Sequence, residues 1–230
     1  QYQPTLTAAG EYVYYVTEYN SVPLSGLTNP EGCESQKVKV TVTIKETAMA
    51  RVTPTTAEVC EGETNPMFTA SSIVGEIGWY EDDPGALGVP QSTQKSKTMT
   101  FIPSGRTAGD YKVWAVMYAN GCYGPKVEST YTIKEIPAAP KTVDADICFG
   151  EANKSVTASG VDATATINWY ADAAKTSASL NTGAGYMSKE NLVGVYTYYA
   201  AQKVKGCEGP TAPAKFTIKS LPSPPVMTFQ

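Results

Sequence analysis

Three stretches of the chain alternate apolar and polar side chains with a period of two. Residues 110–118 place two sets on opposite faces: Tyr111, Val113, Ala115 and Met117 on one, Lys112, Trp114, Val116 and Tyr118 on the other. The stretches that follow Tyr12 and Tyr196 keep the same phase. Alternation of this kind predicts a β-strand with at least one buried face.

The alternating strand is part of a repeat. The C-terminal half of each copy begins with Gly-x-Tyr, continues through a Gly-Cys pair and closes with a β-rich segment that ends in Ile-Lys: residues 38–45, 127–134 and 214–219. Because each closing segment follows a Gly-Cys turn, we expect it to pair with the tyrosine strand as a hairpin. An upstream half, with Cys-x-Gly and Trp-Tyr, occurs only twice, at Cys60 and Trp79 and at Cys148 and Trp169.

Equivalent positions in the two complete copies are 85 to 90 residues apart, which defines the predicted domains. Residues 1–46 are the C-terminal half of a repeat, residues 47–136 and 137–220 are complete repeats, and residues 221–230 are a linker and the start of a further repeat. Short strands with frequent turn signals in units of this size favour a sandwich over a barrel. We predict an all-β chain of tandem immunoglobulin-like antiparallel β-sandwich domains in an elongated array.

Five aromatic residues are the predicted core of these domains. Trp79 and Trp169 fall on the third strand, where a large side chain fills the space between two sheets. Tyr12, Tyr111 and Tyr196 occupy the Gly-x-Tyr position, which resembles a tyrosine corner whose hydroxyl bonds back to nearby backbone.

The combined pattern resembles the Ig-like repeats of large secreted surface proteins of Bacteroidetes. The motifs that carry the resemblance are Cys-x-Gly, Trp-Tyr, Gly-x-Tyr-x-Tyr, Gly-Cys and Thr-Ile-Lys, in that order. Such repeats are commonly tandem modules of adhesins and gliding-associated proteins exported by the type IX secretion system. The resemblance implies a cell-surface setting and carries no catalytic residues to this chain.

The five cysteines occupy repeating positions, which suggests disulfides and an oxidising compartment. Repeat arithmetic pairs Cys60 with Cys122 and Cys148 with Cys207, and leaves Cys33 unpaired by truncation. An Ig topology places a first-strand end and the last hairpin at opposite poles, whereas a bridge needs Cα atoms within roughly 7 Å. The competing arrangement therefore links Cys60 to Cys207, from one repeat to the next. Free buried cysteines are the remaining alternative.

Composition narrows the class of function. The 230 residues include 18 Lys and Arg against 22 Asp and Glu, with no histidine. The acidic balance argues against nucleic-acid binding, and the lack of histidine removes the commonest general base and zinc ligand. No apolar run approaches the roughly 20 residues of a membrane helix. We predict no catalytic residue, metal or cofactor, and no membrane insertion in this segment.

Two surface features each have two interpretations, one functional and one structural. Residues 81–83 carry three carboxylates, which suit a calcium site; the alternative is a solvated loop. Tyr15, Trp114 and Tyr199 are outward-facing candidates for binding sugars, although regularly spaced tyrosines usually serve packing.

The sequence thus supports three functional hypotheses, all of them non-enzymatic. The first is an extracellular stalk in which the partners of each repeat are its neighbours in the same chain. The second is a binding module that contacts a surface glycan or a protein through the loops at residues 20–29, 81–91 and 172–185. The third is a fibre subunit that completes another chain's sandwich.

Overall fold

The computed structural model describes residues 2–20, 33–71, 75–85 and 90–227, without the side chains of Asn20 and Cys33. Regular structure in these residues consists of strands alone, and the described part of the chain contains no membrane-spanning helix. Two compact units are drawn from the segments Gln1–Thr56, Met67–Pro103 and Lys112–Thr130, and from Ala57–Pro66, Ser104–Tyr111 and Tyr131–Gln230. The units cut across the predicted repeats, whose boundaries stay a prediction.

Twelve strands precede residue 135 in the described chain. They are β1 Gly10–Val16, β2 Tyr19–Asn20, β3 Cys33–Glu34, β4 Val38–Ile44, β5 Arg51–Thr53, β6 Thr56–Cys60, β7 Phe68–Ser71, β8 Glu76–Tyr80, β9 Thr100–Phe101, β10 Gly109–Ala119, β11 Cys122–Tyr123 and β12 Val127–Lys134. Strand β1 pairs with β4, β5, β7 and β9 form a three-stranded sheet, and β6, β8, β10, β11 and β12 form a five-stranded sheet.

Eight strands follow. They are β13 Lys141–Val143, β14 Ala145–Cys148, β15 Ser155–Ser159, β16 Thr166–Tyr170, β17 Asn181–Thr182, β18 Gly185–Met187, β19 Gly194–Val204 and β20 Cys207–Lys219. One sheet has the order β13-β15-β18 and the other the order β14-β20-β19-β16-β17. Strand β14 runs parallel to β20, and the remaining pairs whose register is known are antiparallel.

The core of the second unit lies between its two sheets. Val156 and Ala158 from β15 meet Trp169 and Phe216 from the opposite sheet in one buried cluster. A residue from each sheet contributes because alternate side chains of a strand point to the same face. The tyrosine strand and the closing segment pair as predicted, with Tyr196 opposite Phe216. The result is a β-sandwich.

The first unit buries an equivalent tryptophan. Trp79 is fully buried, its ring centroid lies 6.5 Å from Phe68 and 5.5 Å from Phe101, and its Nε1 donates to Thr98 O at 2.8 Å. Trp169 is also fully buried and donates to Gly183 O at 2.9 Å. The indole N–H of each therefore keeps a partner inside an apolar core.

The three Gly-x-Tyr residues make the predicted corner. The hydroxyl groups of Tyr12, Tyr111 and Tyr196 each donate to the carbonyl four residues upstream, at 2.9, 2.8 and 3.0 Å. Each ring is only partly buried, so these tyrosines lie at the border of the core, whereas the sequence predicted them inside it. Each hydroxyl bonds to backbone just before its strand, and the tyrosine therefore lies at the rim of the sheet, where the strand begins.

The predicted outward face of β10 is partly covered. Trp114 is 8% exposed, because it packs with Tyr80, Val116 and Tyr123 in a second apolar cluster. The favoured interpretation, that these aromatic residues serve packing, is therefore confirmed for Trp114, and its alternative role as an outward-facing sugar ligand is excluded. Tyr15 is 63% exposed, as expected for an outward position, and Tyr199 is half-buried.

Candidate functional site

A tight turn places Cys60 at the end of β6. Glu63 N donates to Cys60 O at 3.1 Å, the Glu63 carboxylate accepts from Cys60 N at 2.9 Å, and Gly62 has φ +83°. That left-handed conformation is the reason for glycine at the third position of Cys-x-Gly-Glu. The side chain of the cysteine is thus presented at a fixed place on the end of the sandwich.

A two-residue hairpin presents Cys207. Val204 pairs with Cys207, and the two residues between them, Lys205 and Gly206, have φ +49° and +91°. Positive φ at both turn positions is the type I′ geometry that matches strand twist. Cys207 is fully buried. The turn therefore delivers its cysteine from the first position of the returning strand.

These two turns are joined by a disulfide between Cys60 and Cys207, whose Cα atoms are 5.6 Å apart across a sequence separation of 147 residues. The predicted pairs Cys60–Cys122 and Cys148–Cys207 are wrong, because Cys122 and Cys148 carry free thiols. The predicted state of Cys33 lies outside the described side chains. The structure instead shows the competing arrangement.

The strand register explains why Cys148 does not reach Cys207. Cys148 lies opposite Lys219 at the end of β20, and Cys207 begins that strand. Twelve residues of extended chain span about 40 Å, far beyond the reach of a disulfide. Cys60 lies beside Lys134 in the same way, since Glu61 N donates to Lys134 O at 2.8 Å. A cysteine at the end of a first strand therefore lies beside the end of the closing strand, where the chain leaves that sandwich.

Lys134 binds the tip of the Cys207 hairpin. Its ammonium group donates to Lys205 O at 3.0 Å and pairs with Glu58 at 2.5 Å. A carbonyl at a hairpin tip has no partner in the strand ladder and needs one from elsewhere. Contact with the hairpin leaves the Lys134 side chain only 25% exposed.

The backbone after Lys134 packs directly on the hairpin. A Cβ atom on Gly209 would lie 2.1 Å from Pro137 O, so only glycine permits this approach. The fully buried Gln202 donates to Ala138 O at 2.6 Å and accepts from Val161 N at 3.0 Å. The linker at residues 137–138 is therefore fixed by backbone contact and by hydrogen bonding.

Glu208, between Cys207 and Gly209, anchors the hairpin from behind. Its carboxylate accepts from Asn168 and Tyr170, each at 2.8 Å, and pairs with Lys175 at 3.3 Å. Burial acts to raise the pKa of Glu208, but the hydrogen bonds and the lysine charge outweigh it and hold the pKa below its usual value. Burial and the Glu208 hydrogen bond raise the pKa of Tyr170 to about 12.

An open crevice of about 760 Å³ borders the hairpin contact, lined by Glu58, Lys134, Ala138, Asp162 and Lys205 among others. Its charged groups have mixed sign. The described residues contain no cluster of three or more His, Cys, Asp or Glu suited to a metal. The crevice thus lies beside the contact between hairpin and linker, and apolar residues line it together with charged residues of both signs.

The same device occurs in the first unit. Lys45, at the end of the first closing segment, donates to Asn120 O at 2.9 Å. A Cβ atom on Gly124 would lie 1.9 Å from Ala48 O. Lys45, Asn120, Gly124 and Ala48 match Lys134, Lys205, Gly209 and Pro137 in repeat position. We name this arrangement the hairpin junction: a strand-end lysine on a hairpin carbonyl, with a glycine against the linker.

The sequence carried a signal for the junction. Ile-Lys closes each repeat, and both complete hairpins read Gly-Cys-x-Gly. Within one sandwich the strand-end lysine pairs only with Glu58 or Asp146, and nothing there requires a second glycine beside the cysteine. The contact of the lysine with a hairpin carbonyl, and of the glycine with a linker, is seen only where a neighbouring segment is present.

The remaining predicted sites are the acidic loop and the three candidate binding loops. In the acidic loop, Asp83 pairs with Lys126 and accepts from Gly85 N, and the Lys126 hydrogen bond lowers the pKa of Asp83. The loop at residues 20–29 lies almost wholly outside the described residues, and that at 81–91 does so in part. In the loop at 172–185, Asp172 accepts from Thr176 at 2.8 Å, which closes a local turn.

Comparison with known proteins supports the fold. Residues 137–220 match the family model described as an Ig-like domain, CHU_C associated. This match and the all-β architecture show an Ig-like β-sandwich.

Solved structures that resemble the chain include human mucin-like protocadherin EC1-2, at 14% identity and a TM-score of 0.30, in an alignment that covers 76% of this chain and 99% of that chain. Domains from titin match at 18% identity, 84% of this chain, 73% of that chain and a TM-score of 0.40. A comparison with curated proteins found no match.

Proposed function

We propose that this chain is a non-enzymatic spacer segment of an extracellular surface protein, in which Ig-like repeats are joined in series by hairpin junctions and a disulfide. The observation that carries the proposal is the bond from Cys60, at the end of the first strand of the predicted repeat 47–136, to Cys207, in the hairpin of the next repeat. The partner of each repeat is then its neighbour in the chain.

The covalent bond gives a spacer a mechanical advantage. Force applied at the two ends of the chain passes across the Cys60–Cys207 bond, so the residues between them are shielded from extension. Those residues span a sequence separation of 147. A bond that closes a loop of this size also stabilises the folded state by roughly 2 to 5 kcal/mol. The junction contacts of Lys134 and Gly209 hold the two turns in register for that bond.

Single-molecule stretching tests this proposal. The oxidised chain, pulled from its ends, should release no length from the segment enclosed by Cys60 and Cys207. A Cys207→Ser variant should release about 50 nm more, since 147 residues each add about 3.4 Å when extended. A Cys148→Ser variant is the matched control and should behave as the parent chain. Equal extension of the oxidised parent and of Cys207→Ser would contradict the proposal.

The extracellular setting has separate support. Disulfides persist in oxidising compartments, and the resemblance to Bacteroidetes surface proteins implies the same location. Intact cells treated with a membrane-impermeant thiol reagent after mild reduction should become labelled at Cys60, the more exposed partner of the bond. Labelling only after lysis would place the chain inside the cell and remove the spacer role.

A second candidate, glycan binding, is favoured by one surface feature of the first unit. Tyr118 is 40% exposed and its ring lies 4.7 Å from that of Tyr123. Both line a crevice of about 240 Å³ with Gln94 and Lys97, and aromatic rings beside polar groups suit sugars. Saturable glycan binding by the parent chain that Tyr118→Ala abolishes and Tyr15→Ala retains would support this role.

A further inference from the structure

The turn at Cys148 repeats the turn at Cys60 bond for bond. Glu151 N donates to Cys148 O at 3.0 Å, the Glu151 carboxylate accepts from Cys148 N at 2.9 Å, and Gly150 has φ +90°. Phe149 N donates to Lys219 O at 2.8 Å, as Glu61 N donates to Lys134 O. The free thiol of Cys148 thus occupies the position of a cysteine that is bonded elsewhere in the same chain.

The strand-end lysine repeats as well. Lys219 pairs with Asp146 as Lys134 pairs with Glu58, and the ion pair raises the pKa of Lys219 and lowers that of Asp146. The side chain of Lys219 is 57% exposed, whereas that of Lys134, in contact with a hairpin, is 25% exposed. An ammonium group has three donors, so Lys219 can still bind a hairpin carbonyl.

The segment after Lys219 supplies the linker backbone of a hairpin junction. Residues 219–225 align with residues 134–140, and Pro222 falls at the position of Pro137, three residues after the lysine. Pro137 O receives the close approach of Gly209 in the occupied junction. All parts of a hairpin junction except the hairpin are therefore present at this end of the sandwich.

We propose that Cys148, Lys219 and the backbone at Pro222 form a docking site for the Gly-Cys-x-Gly hairpin of another Ig-like repeat, which becomes disulfide-bonded to Cys148. The inference rests on the junction part of the proposed function and extends it to a new site. Joining the two thiols releases two electrons and two protons, and an external disulfide such as oxidised glutathione accepts them and becomes two thiols. A hairpin without the second glycine is excluded, because its Cβ would meet the carbonyl of residue 222.

The test is an extended chain that carries a second copy of residues 141–220 directly after Pro225. This point aligns with Pro140, so the spacing of the occupied junction is kept. The chain is reduced, refolded in a glutathione buffer and mapped by peptide mass spectrometry without reduction. We expect a new bond from Cys148 to the Cys207 of the added copy, beside the original Cys60–Cys207 bond. A Cys148→Ser variant should leave the added cysteine as a free thiol.

Two substitutions in the extended chain test the geometry of the site. Gly209→Ala in the added copy should slow the new bond about tenfold or more, while Gly185→Ala in that copy, where a Cβ makes ordinary contacts, should leave it unchanged. Lys219→Met should lower the equilibrium constant for formation of the new disulfide about tenfold, as expected for loss of one charged hydrogen bond.

The possible outcomes separate the two proposals. A free Cys148 in a chain whose Cys60–Cys207 bond has formed would overturn the docking site alone, provided that tryptophan fluorescence shows the added copy folded. Bonding of the added cysteine to Cys122 would overturn it equally. Failure of the Cys60–Cys207 bond itself would refute the proposed function from which the inference starts.

Discussion

Replacing Gly209 by alanine is the sharpest perturbation of the hairpin junction. The added Cβ would lie 2.1 Å from Pro137 O, 3.0 Å from Pro137 C and 3.3 Å from Ala138 O. These atoms are backbone atoms, so no side chain can rotate away to make room. The φ angle of Gly209 lies outside the range that disfavours other residues. The substitution therefore tests the close approach and not the backbone conformation.

The magnitude follows from the distance. An ordinary Cβ contact begins near 3.4 Å, so the hairpin must retreat from Pro137 by about 1.3 Å. That shift would break the bond from Lys134 to Lys205 O, which is 3.0 Å long. It would also move the Cα atoms of Cys60 and Cys207 from 5.6 Å toward the upper limit of about 7 Å for a disulfide. Overpacking of this kind costs about 1 to 3 kcal/mol.

Calorimetry and a redox titration measure the effect. A loss of 1 kcal/mol lowers the melting midpoint of a domain of this size by about 4 to 8 °C. We expect Gly209→Ala to melt at least about 4 °C lower and its Cys60–Cys207 bond to reduce more readily in glutathione buffers. Gly105→Ala is the control, because a Cβ there meets nothing within 4 Å. Equal midpoints for the two variants would refute the tight junction.

Three further variants test the fold and the hairpin anchor. Trp169→Ala removes a fully buried ring and should cost about 3 to 5 kcal/mol by denaturant titration; a loss below 1 kcal/mol would mean that the ring is not central to the core. Tyr196→Phe loses the hydrogen bond to Leu192 O and should cost about 0.5 to 1.5 kcal/mol, so an unchanged midpoint would argue against the tyrosine corner. The lowered pKa of Glu208 stabilises the fold above its usual value of 4.5, and this contribution is lost as pH falls through the lower folded pKa; Glu208→Gln should flatten the decline in melting midpoint below pH 4.5, and an unchanged slope would contradict the assignment.

Local patterns in the sequence predict each sandwich well. Alternation around Tyr196 predicts β19 and its pairing with β20, and Trp169 takes its place between the sheets. Gly-x-Tyr also predicts the hydroxyl-to-backbone bond of each tyrosine. These features depend on a few neighbouring residues and on one buried face, which a single sequence displays directly.

The features that the sequence predicts poorly depend on contacts between segments far apart in the chain. Repeat arithmetic shows that Cys60 is equivalent to Cys148 and that Cys122 is equivalent to Cys207. It does not show whether a bond forms within a repeat or between repeats, because that depends on which end of the sandwich each turn occupies. The sequence left an outward position of Trp114 open for a similar reason: Tyr80 and Tyr123, which cover its face, come from other strands.

A disulfide map of the native protein tests the central claim most directly. Protein from an oxidising source is alkylated, digested without reduction and examined by mass spectrometry. The account predicts a linked peptide pair that contains Cys60 and Cys207, with Cys122 and Cys148 alkylated as free thiols. Linked peptides for Cys60 with Cys122 and for Cys148 with Cys207 would mean self-contained repeats, and would contradict both the junction and the spacer proposed from it.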